Sequence, residues 1–424
     1  MPATIKVGKT PYDGETNETI QRAINDVAER GGGTVELPAR TFELHDAIHL
    51  RSSVTLAGQG KETVLKKVQS VSSPIVDHLG YGHYEVTVED PDLFRPGMGI
   101  TVRDDSTNGF NMTVGTIQEI DGACLFIDKQ FNADYSPNKG GRAVSIFPLV
   151  SAEYARGVAM RDLTLDGSND PELLGGCRGG AVFFLQTHTA TAENLHIQDF
   201  TGDGISFQQC TDIAVKRCEV HDLAENGLHP GSGSVRYVIE DNHVHNCGGM
   251  GIFYCLRTTH SLCEGNLVEN NGRGGISIGE RDTNHILRNN EIKGNSWAGL
   301  RFRDVHIHGG DRVIVEENNF EQNANEQDEA EIVIASRIRH VVIRQNQFIT
   351  DASAIRVNEE TQDIYVAASN KVDGQPIREP DVVGSSEEVN FGDADHPLEI
   401  GPAAAHGETS RHLSVELPRR PANF

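Results

Sequence analysis

Tryptophan occurs once, methionine five times, and aromatic residues make up only 6% of the 424-residue chain, so large rings cannot fill a thick multilayer core. Positive charge is also scarce. Lys and Arg number 37 against 62 Asp and Glu, a formal net charge of −25, which argues against a general binder of nucleic acid or of membrane surfaces, both of them anionic. No stretch of eighteen apolar residues and no basic start followed by an apolar run occurs, so neither a membrane span nor a signal peptide is expected. A cytoplasmic location follows for the chain as given, and a secreted one if a native leader is missing. The seven cysteines include no CxxC pair, and Cys210, Cys218, Cys247, Cys255 and Cys263 read as reduced packing residues. There is no phosphate-cradling glycine loop joined to a helix, no GxSxG elbow and no dense DxD cluster. No cofactor and no metal is therefore expected, with Ca²⁺ entering only if the protein is a lyase.

What the chain has is repetition. The segments GAVFFL, GISFQQ, GLHPGS, GIFYCL, GISIGE and GLRFRD begin at Gly180, Gly204, Gly227, Gly251, Gly275 and Gly299, close to 24 residues apart. Asn242, Asn266 and Asn290 keep the same step, Asn318 follows a coil four residues longer, and Asn346 and Asn370 are again 24 apart. Two ladders of one period, with alternating strands and no helical pattern, predict an all-β solenoid: a right-handed parallel β-helix. One coil cannot bury its own apolar face, so Ile205, Phe207, Ile252, Ile276, Ile278, Leu300 and Phe302 are expected to stack inward. The asparagines are expected at a sharp corner, tolerating left-handed backbone while bonding amide to amide between coils.

Residues 1–70 read as an N-terminal cap with the first coils. Ile20, Ala23, Ile24, Val27 and Ala28 fall at helical spacing between Asn17 and Arg30, and Gly31 to Gly33 stop the helix. Between 71 and 150 the period vanishes, and YEVTVED, GITVRDD, MTVGTIQEI and CLFIDKQF predict a β-hairpin insertion packed beside the solenoid, able to wall off one end of a groove. The coils fill 151–373, with a long loop leaving the stack between Gly167 and Gly179. Residues 374–424 are polar apart from LSVEL and read as a tail or C-terminal cap.

The stretch from Asp13 through GGGTVELPARTFEL to VTLAGQGKETVL resembles the opening of the pectate-lyase-like superfamily of right-handed β-helix proteins, and that likeness covers the cap and the repeat. It implies the fold; the superfamily hosts lyases, glycoside hydrolases, epimerases and tailspikes, so it leaves the reaction open. GGISIGER, GLRFRD and TGDGI further resemble polygalacturonase motifs, which implies sugar-binding or catalytic roles for Asp203, Arg301 and Arg303. The chain departs from that family at ENGLHPG, where paired aspartates are expected, and at Gly274, where a histidine is. NGLHPG also resembles the DPH segment of alginate epimerases, with His229 in place of aspartate and Gly231 in place of histidine.

With the glycines aligned, Glu280 and Asp304 fall in one column a coil apart. Adjacent parallel strands lie about 4.8 Å apart, near the roughly 5–5.5 Å that retaining glycosidases use. Glu280 is assigned as acid/base and Asp304 as nucleophile, with the order open and ion pairing to Arg281, Arg301 or Arg303 as the competing account. His229, in an interrupted strand beside Pro230, is a candidate base or sugar ligand. Arg257, Arg281, Arg301 and Arg303 are candidate clamps for hydroxyls or an anionic sugar, and Phe253 a stacking platform. His243–His245 and His306–His308 form HxH pairs, but His221 and His245 share a column with Glu269 and Lys293 that reads as ordinary surface.

The leading expectation is a carbohydrate-active enzyme, a glycoside hydrolase or transglycosidase that binds a poly- or oligosaccharide on the flank of the helix. The alternatives are a uronate lyase or C5-epimerase working through His229 and arginines, and a non-catalytic glycan-binding solenoid. A homo-oligomer is compatible with all three.

Overall fold

The computed structural model describes residues 3–304, 309–324, 330–335, 337–384 and 389–392. One helix, α1 (Asn17–Glu29), buries Ile20, Ala23, Ile24 and Val27 against the first coils and stops where Gly31 and Gly32 take φ of 91° and 105°. From there the chain winds into a β-solenoid of about 14 turns. One side is an eleven-stranded sheet from Ile48–His49 to Val382–Val383, parallel throughout; strands of the other sides also pair in parallel, apart from the antiparallel contact of Lys371–Val372 with Gln375–Pro376. None of the described helices is long and apolar enough to cross a membrane.

The register of the eleven-stranded sheet explains the inward residues. Val182, Ile205, Leu228, Ile252, Ile276, Leu300, Ile332 and Ile355 pair in succession, an aliphatic column in which each member is fully buried. The sequence alignment by glycine was one residue out at the first coil. Gly180 pairs with Asp203 rather than Gly204, so Phe183, not Val182, joins Ser206 on the outward face. The side-chain period of two decides this, since the other register would turn Val182 out of the core.

The repeated glycines serve close approach. A Cβ on Gly204 would lie 2.5 Å from the Gly227 carbonyl oxygen, one on Gly227 2.7 Å from that of Gly251, and one on Gly251 2.9 Å from that of Gly275. The asparagine ladder is also present: Nδ2 of Asn242, Asn266, Asn290, Asn318 and Asn346 each donates to Oδ1 of the next at 2.8–3.0 Å. One expectation is corrected here. The left-handed residue is the one before the asparagine, with Asp241, Asn289, Glu317 and Gln345 at φ of 52–57°. The asparagine itself turns inward, where its amide caps carbonyls that the bend leaves unpaired, as in Asn290 Nδ2 to Cys263 O at 2.9 Å. A second ladder, Asn271 to Asn295 to Asn323, ends on the buried Glu331.

Between Ser72 and Val144 the insertion forms a six-stranded antiparallel sheet with its own apolar cluster around Ile100, Ile117, Leu125 and Tyr135. It meets the loop that leaves the stack after Asp166. Arg103 pairs with Glu172 at 2.8 Å, and Arg178 lies over Phe110 and Phe183. Under that loop Lys67 and Asp170 form a fully enclosed ion pair at 2.7 Å. The stack continues past residue 373: Val382–Val383 extends the eleven-stranded sheet, and Val389–Gly392 pairs with Gln362–Ala367. His306, His308 and LSVEL lie outside the described residues.

Candidate active site

On the outward face of the eleven-stranded sheet, Ser206, His229, Phe253, Ser277 and Arg301 follow one another in register or along the same face. The loop carrying Gly176 and Cys177 rises on one side, fixed by Ser206 Oγ donating to Cys177 O at 2.9 Å. Together they enclose a cleft of about 350 Å³ that also takes in Asp203, Glu225, Asn226, Met250, Cys255, Arg273, Trp297 and Arg303.

Its floor is a buried pair. His229 Nδ1 lies 2.6 Å from Asp203 Oδ2, the two residues 4% and 2% exposed. Asp203 Oδ1 is held by the backbone and side-chain nitrogens of Asn226, both at 2.9 Å, so the carboxylate cannot turn away. Its acceptor oxygen places a proton on Nδ1, and Nε2 is a buried nitrogen with no hydrogen-bond partner. Burial works to lower the His229 pKa, but the Asp203 charge and hydrogen bond overcome it and raise it. Phe253 packs edge-on against the imidazole at 5.1 Å between centroids.

Two thiols complete this floor. The Sγ atoms of Cys177 and Cys255 and a ring nitrogen of His229 lie within 4.8 Å of one another. A hydrogen bond from Cys255 pulls the Cys177 thiol down to about 6 against the opposing effect of burial, with the nearby imidazole acting in the same direction. The Cys255 thiol is pushed up by the same hydrogen bond and by burial. Cys177, His229 and Asp203 thus form one coupled line, in which Asp203 favours the protonated imidazole and the imidazole in turn favours the Cys177 thiolate. Soft metals favour this donor set, but Arg303, whose charge acts on both His229 and Cys255, opposes a cation here.

Arg303 lies flat over Gly279, where a side chain would collide with its guanidinium. It donates to Ser277 Oγ at 2.7 Å and to the Tyr254 and Cys255 carbonyls at 2.8 Å, and stands 4.4 Å from the Phe253 ring centroid. Arg303 therefore braces the floor, while Arg301, over the Trp297 ring at 5.8 Å, and the exposed Arg273 line the opening. Glu225 stands beside them with its carboxyl pKa raised by burial and by Asp203.

Of the residues singled out in the sequence, Asp203, His229, Phe253, Arg301 and Arg303 share this cleft. Glu280, Asp304, Arg257 and Arg281 do not line it. The stacking expected of Glu280 and Asp304 is not continued by the strand pairing, which ends at Ile278 with Phe302; Glu280 instead bridges to Leu256 and Gly309 and pairs with Arg281. Asp304 is exposed. Sequence reasoning passed over Cys177, Glu225, Arg273 and Trp297. Cys177 lies in a loop without the coil period, and Cys255, read as packing, occupies the column plus four from Gly251 on the cleft side.

Comparison with solved structures finds the same architecture. The A-module of mannuronan C-5 epimerase AlgE4 from Azotobacter vinelandii superposes with a TM-score of 0.50 at 17% identity, covering 89% of this chain and 95% of that one. The Dettilon tailspike protein gp208 gives 0.52 at 12% identity over 92% of this chain and 68% of its own. A hyperthermoactive exopolygalacturonase from Thermotoga maritima gives 0.48 at 16% identity over 92% and 90%. No curated protein matches the sequence. The family model for the right-handed β-helix region matches residues 152–261 and 253–393, more than half of the chain. With its stacked coils and inward ladders, the chain belongs to the right-handed β-helix family.

Proposed function

We propose that the protein is a carbohydrate-active enzyme that binds an acidic poly- or oligosaccharide in this cleft and moves the proton at carbon five of a uronate residue, as a lyase or an epimerase. The observation that carries this reading is the charged line of Asp203, His229 and Cys177 set beneath Arg301 and Arg273. An arginine on the sugar carboxylate makes the adjacent C–H more acidic by neutralising the charge that builds on proton removal. Cys177 thiolate takes that proton, and the His229 imidazolium donates one through Nε2. If the donated proton goes to the departing C4 oxygen, the C4–O bond breaks and a C4–C5 double bond forms. If a proton returns to carbon five from the opposite face, the product is the epimer. Asp203 holds the imidazole tautomer throughout.

Cleavage by a carboxylate pair is the second reading, favoured by Glu225, whose raised carboxyl suits a proton donor. In the form expected from the sequence it uses Glu280 and Asp304. The only tryptophan of the chain, Trp297, lines the cleft, so its fluorescence reports occupancy. The test titrates uronate and neutral glycans against that signal and follows ultraviolet absorbance, reducing ends and carbon-five configuration. Proton-transfer chemistry predicts uronate selectivity and loss of at least about a hundredfold in C177A and H229A, with E280Q and D304N near wild type. Full activity in H229A, or loss in E280Q and D304N instead, overturns it.

A further inference from the structure

A second cluster lies on a different sheet, where two outward columns of side chains run side by side. The strands His188–Gln198, Glu219–His221, His243–His245 and Leu267–Glu269 pair in parallel, so His196, Glu219 and His243 stack in one column and Gln198, His221 and His245 in the next. The first column runs on to Leu267 and Glu291, and the second to Glu269 and Lys293. Read one column at a time this is ordinary surface; read across two, it gathers four imidazoles around Glu219.

His196 Nδ1 faces Glu219 Oε2 at 3.0 Å and His221 Nδ1 faces Asp222 Oδ2 at 2.7 Å. The two Nε2 atoms face each other at 3.2 Å, and His196 Nε2 also faces Gln198 Oε1 at 2.8 Å. A proton on His196 Nε2 satisfies both contacts. An ion that displaces this proton finds two nitrogens at a separation close to the edge of a tetrahedral zinc site, about 3.3 Å for bonds of 2.0–2.1 Å. One donor atom from each of His196, His221 and Glu219 lies within 4.8 Å of the others. Lys61 occupies Glu219 Oε2 at 2.6 Å, while Oε1 turns toward His245 Nε2, a buried atom with no hydrogen-bond partner, at 3.8 Å. His221 and His245 stack with their rings 4.7 Å apart and 7° from parallel. The carboxylates on the Nδ1 atoms of His196 and His221 are the outer-shell partners that metal-bound imidazoles commonly carry. Acids outnumber bases around the cluster, with Glu219, Asp222 and Glu269 against Lys61 and Lys293.

We propose that His196, His221 and Glu219 bind a divalent transition-metal ion of the Zn²⁺ or Ni²⁺ type, with His245 beside them, and that the ion ties adjacent coils together on this face. Imidazole-rich donors select such ions over Ca²⁺ and Mg²⁺, which demand oxygen.

The test uses the full chain stripped with a chelator and titrated with ZnCl₂, then NiCl₂, by calorimetry, with thermal melting in parallel. One ion per chain is expected with a Kd at or below about 10 µM, together with a melting temperature several degrees higher with the ion than without it. H196A and H221A should each weaken binding at least tenfold, and H221Q, which keeps size and polarity, should behave as H221A does. C177S/C255S should bind as the wild type. Binding weaker than about 100 µM, binding that survives in H196A and H221A, or binding abolished by C177S/C255S overturns the assignment; the first of these leaves a shared proton between the imidazoles as the cation.

Discussion

Replacing Cys255 with alanine should raise the titration midpoint of Cys177, and the shift can be measured without knowing the substrate. The hydrogen bond from Cys255 is the largest influence holding the Cys177 thiol near 6, and burial works against it. With the bond removed, burial prevails and the midpoint moves toward or above the ordinary value of about 8.5. At pH 7 a midpoint of 6 leaves about nine-tenths of the thiol ionised, and one of 8.5 about 3%, a thirtyfold change in thiolate. Thiolate nucleophilicity rises with pKa by a Brønsted slope of about 0.4–0.5, so it recovers roughly tenfold and the net rate at pH 7 falls only about threefold. The midpoint of the pH–rate profile, rather than a single rate, is therefore diagnostic. Alkylation with iodoacetamide, followed by peptide mass spectrometry, reads it directly. Burial pushes the thiols of Cys210, Cys218 and Cys263 up to about 12 and raises Cys247 as well, so they stay silent over this range. H229A should shift the midpoint in the same direction, because the imidazolium also favours the thiolate. A wild-type midpoint near 8.5, or an unchanged midpoint in C255A, would refute the coupled charge line on which the proton-transfer reading depends.

Two further substitutions probe the scaffold and the floor of the cleft. Asn290→Ala removes bonds at 2.8–3.0 Å to Asn266 N, Asn266 Nδ2, Cys263 O and Asn318 Oδ1 and leaves the buried Asn266 N–H unpaired. A loss of about 2–4 kcal/mol is expected in urea unfolding, with faster hydrogen exchange confined to the neighbouring coils; less than about 1 kcal/mol would contradict the ladder's role. Gly279→Ala puts a methyl where the Arg303 guanidinium lies and should displace it from the Ser277, Tyr254 and Cys255 oxygens. The expected result is a change in Trp297 fluorescence and at least a tenfold drop in glycan affinity, with the circular dichroism spectrum retained; unchanged affinity would show that Arg303 does not shape the cleft.

Periodicity made the solenoid legible. Residues repeating every 24 positions are neighbours in space once the chain coils, so the inward column and the asparagine ladder could be read before any coordinates. Alternation is unforgiving of register, however, and the glycine marker failed by one residue at Gly180 because burial of Val182, not the glycine, sets the pairing. His229, Asp203, Arg301, Arg303 and Phe253 were legible as neighbours around one cleft because they occur in, or next to, strands that follow the period. Cys177 and Trp297 were not, because they belong to segments between the strands, whose paths no repeat constrains.

Composition and period by themselves determined that this chain would be a stacked β-coil with a thin aliphatic core, since each coil can hide its apolar face only against the next. The tertiary structure alone decided where the strand pairing stops, short of Glu280 and Asp304, and which loop folds back to set a thiol beside the Asp203–His229 pair. It also decided that two columns of outward histidines stand close enough to act together. A one-dimensional repeat specifies neighbours along a column, whereas chemistry here depends on contacts across columns and from loops, and those are settled only when side chains compete for the same space.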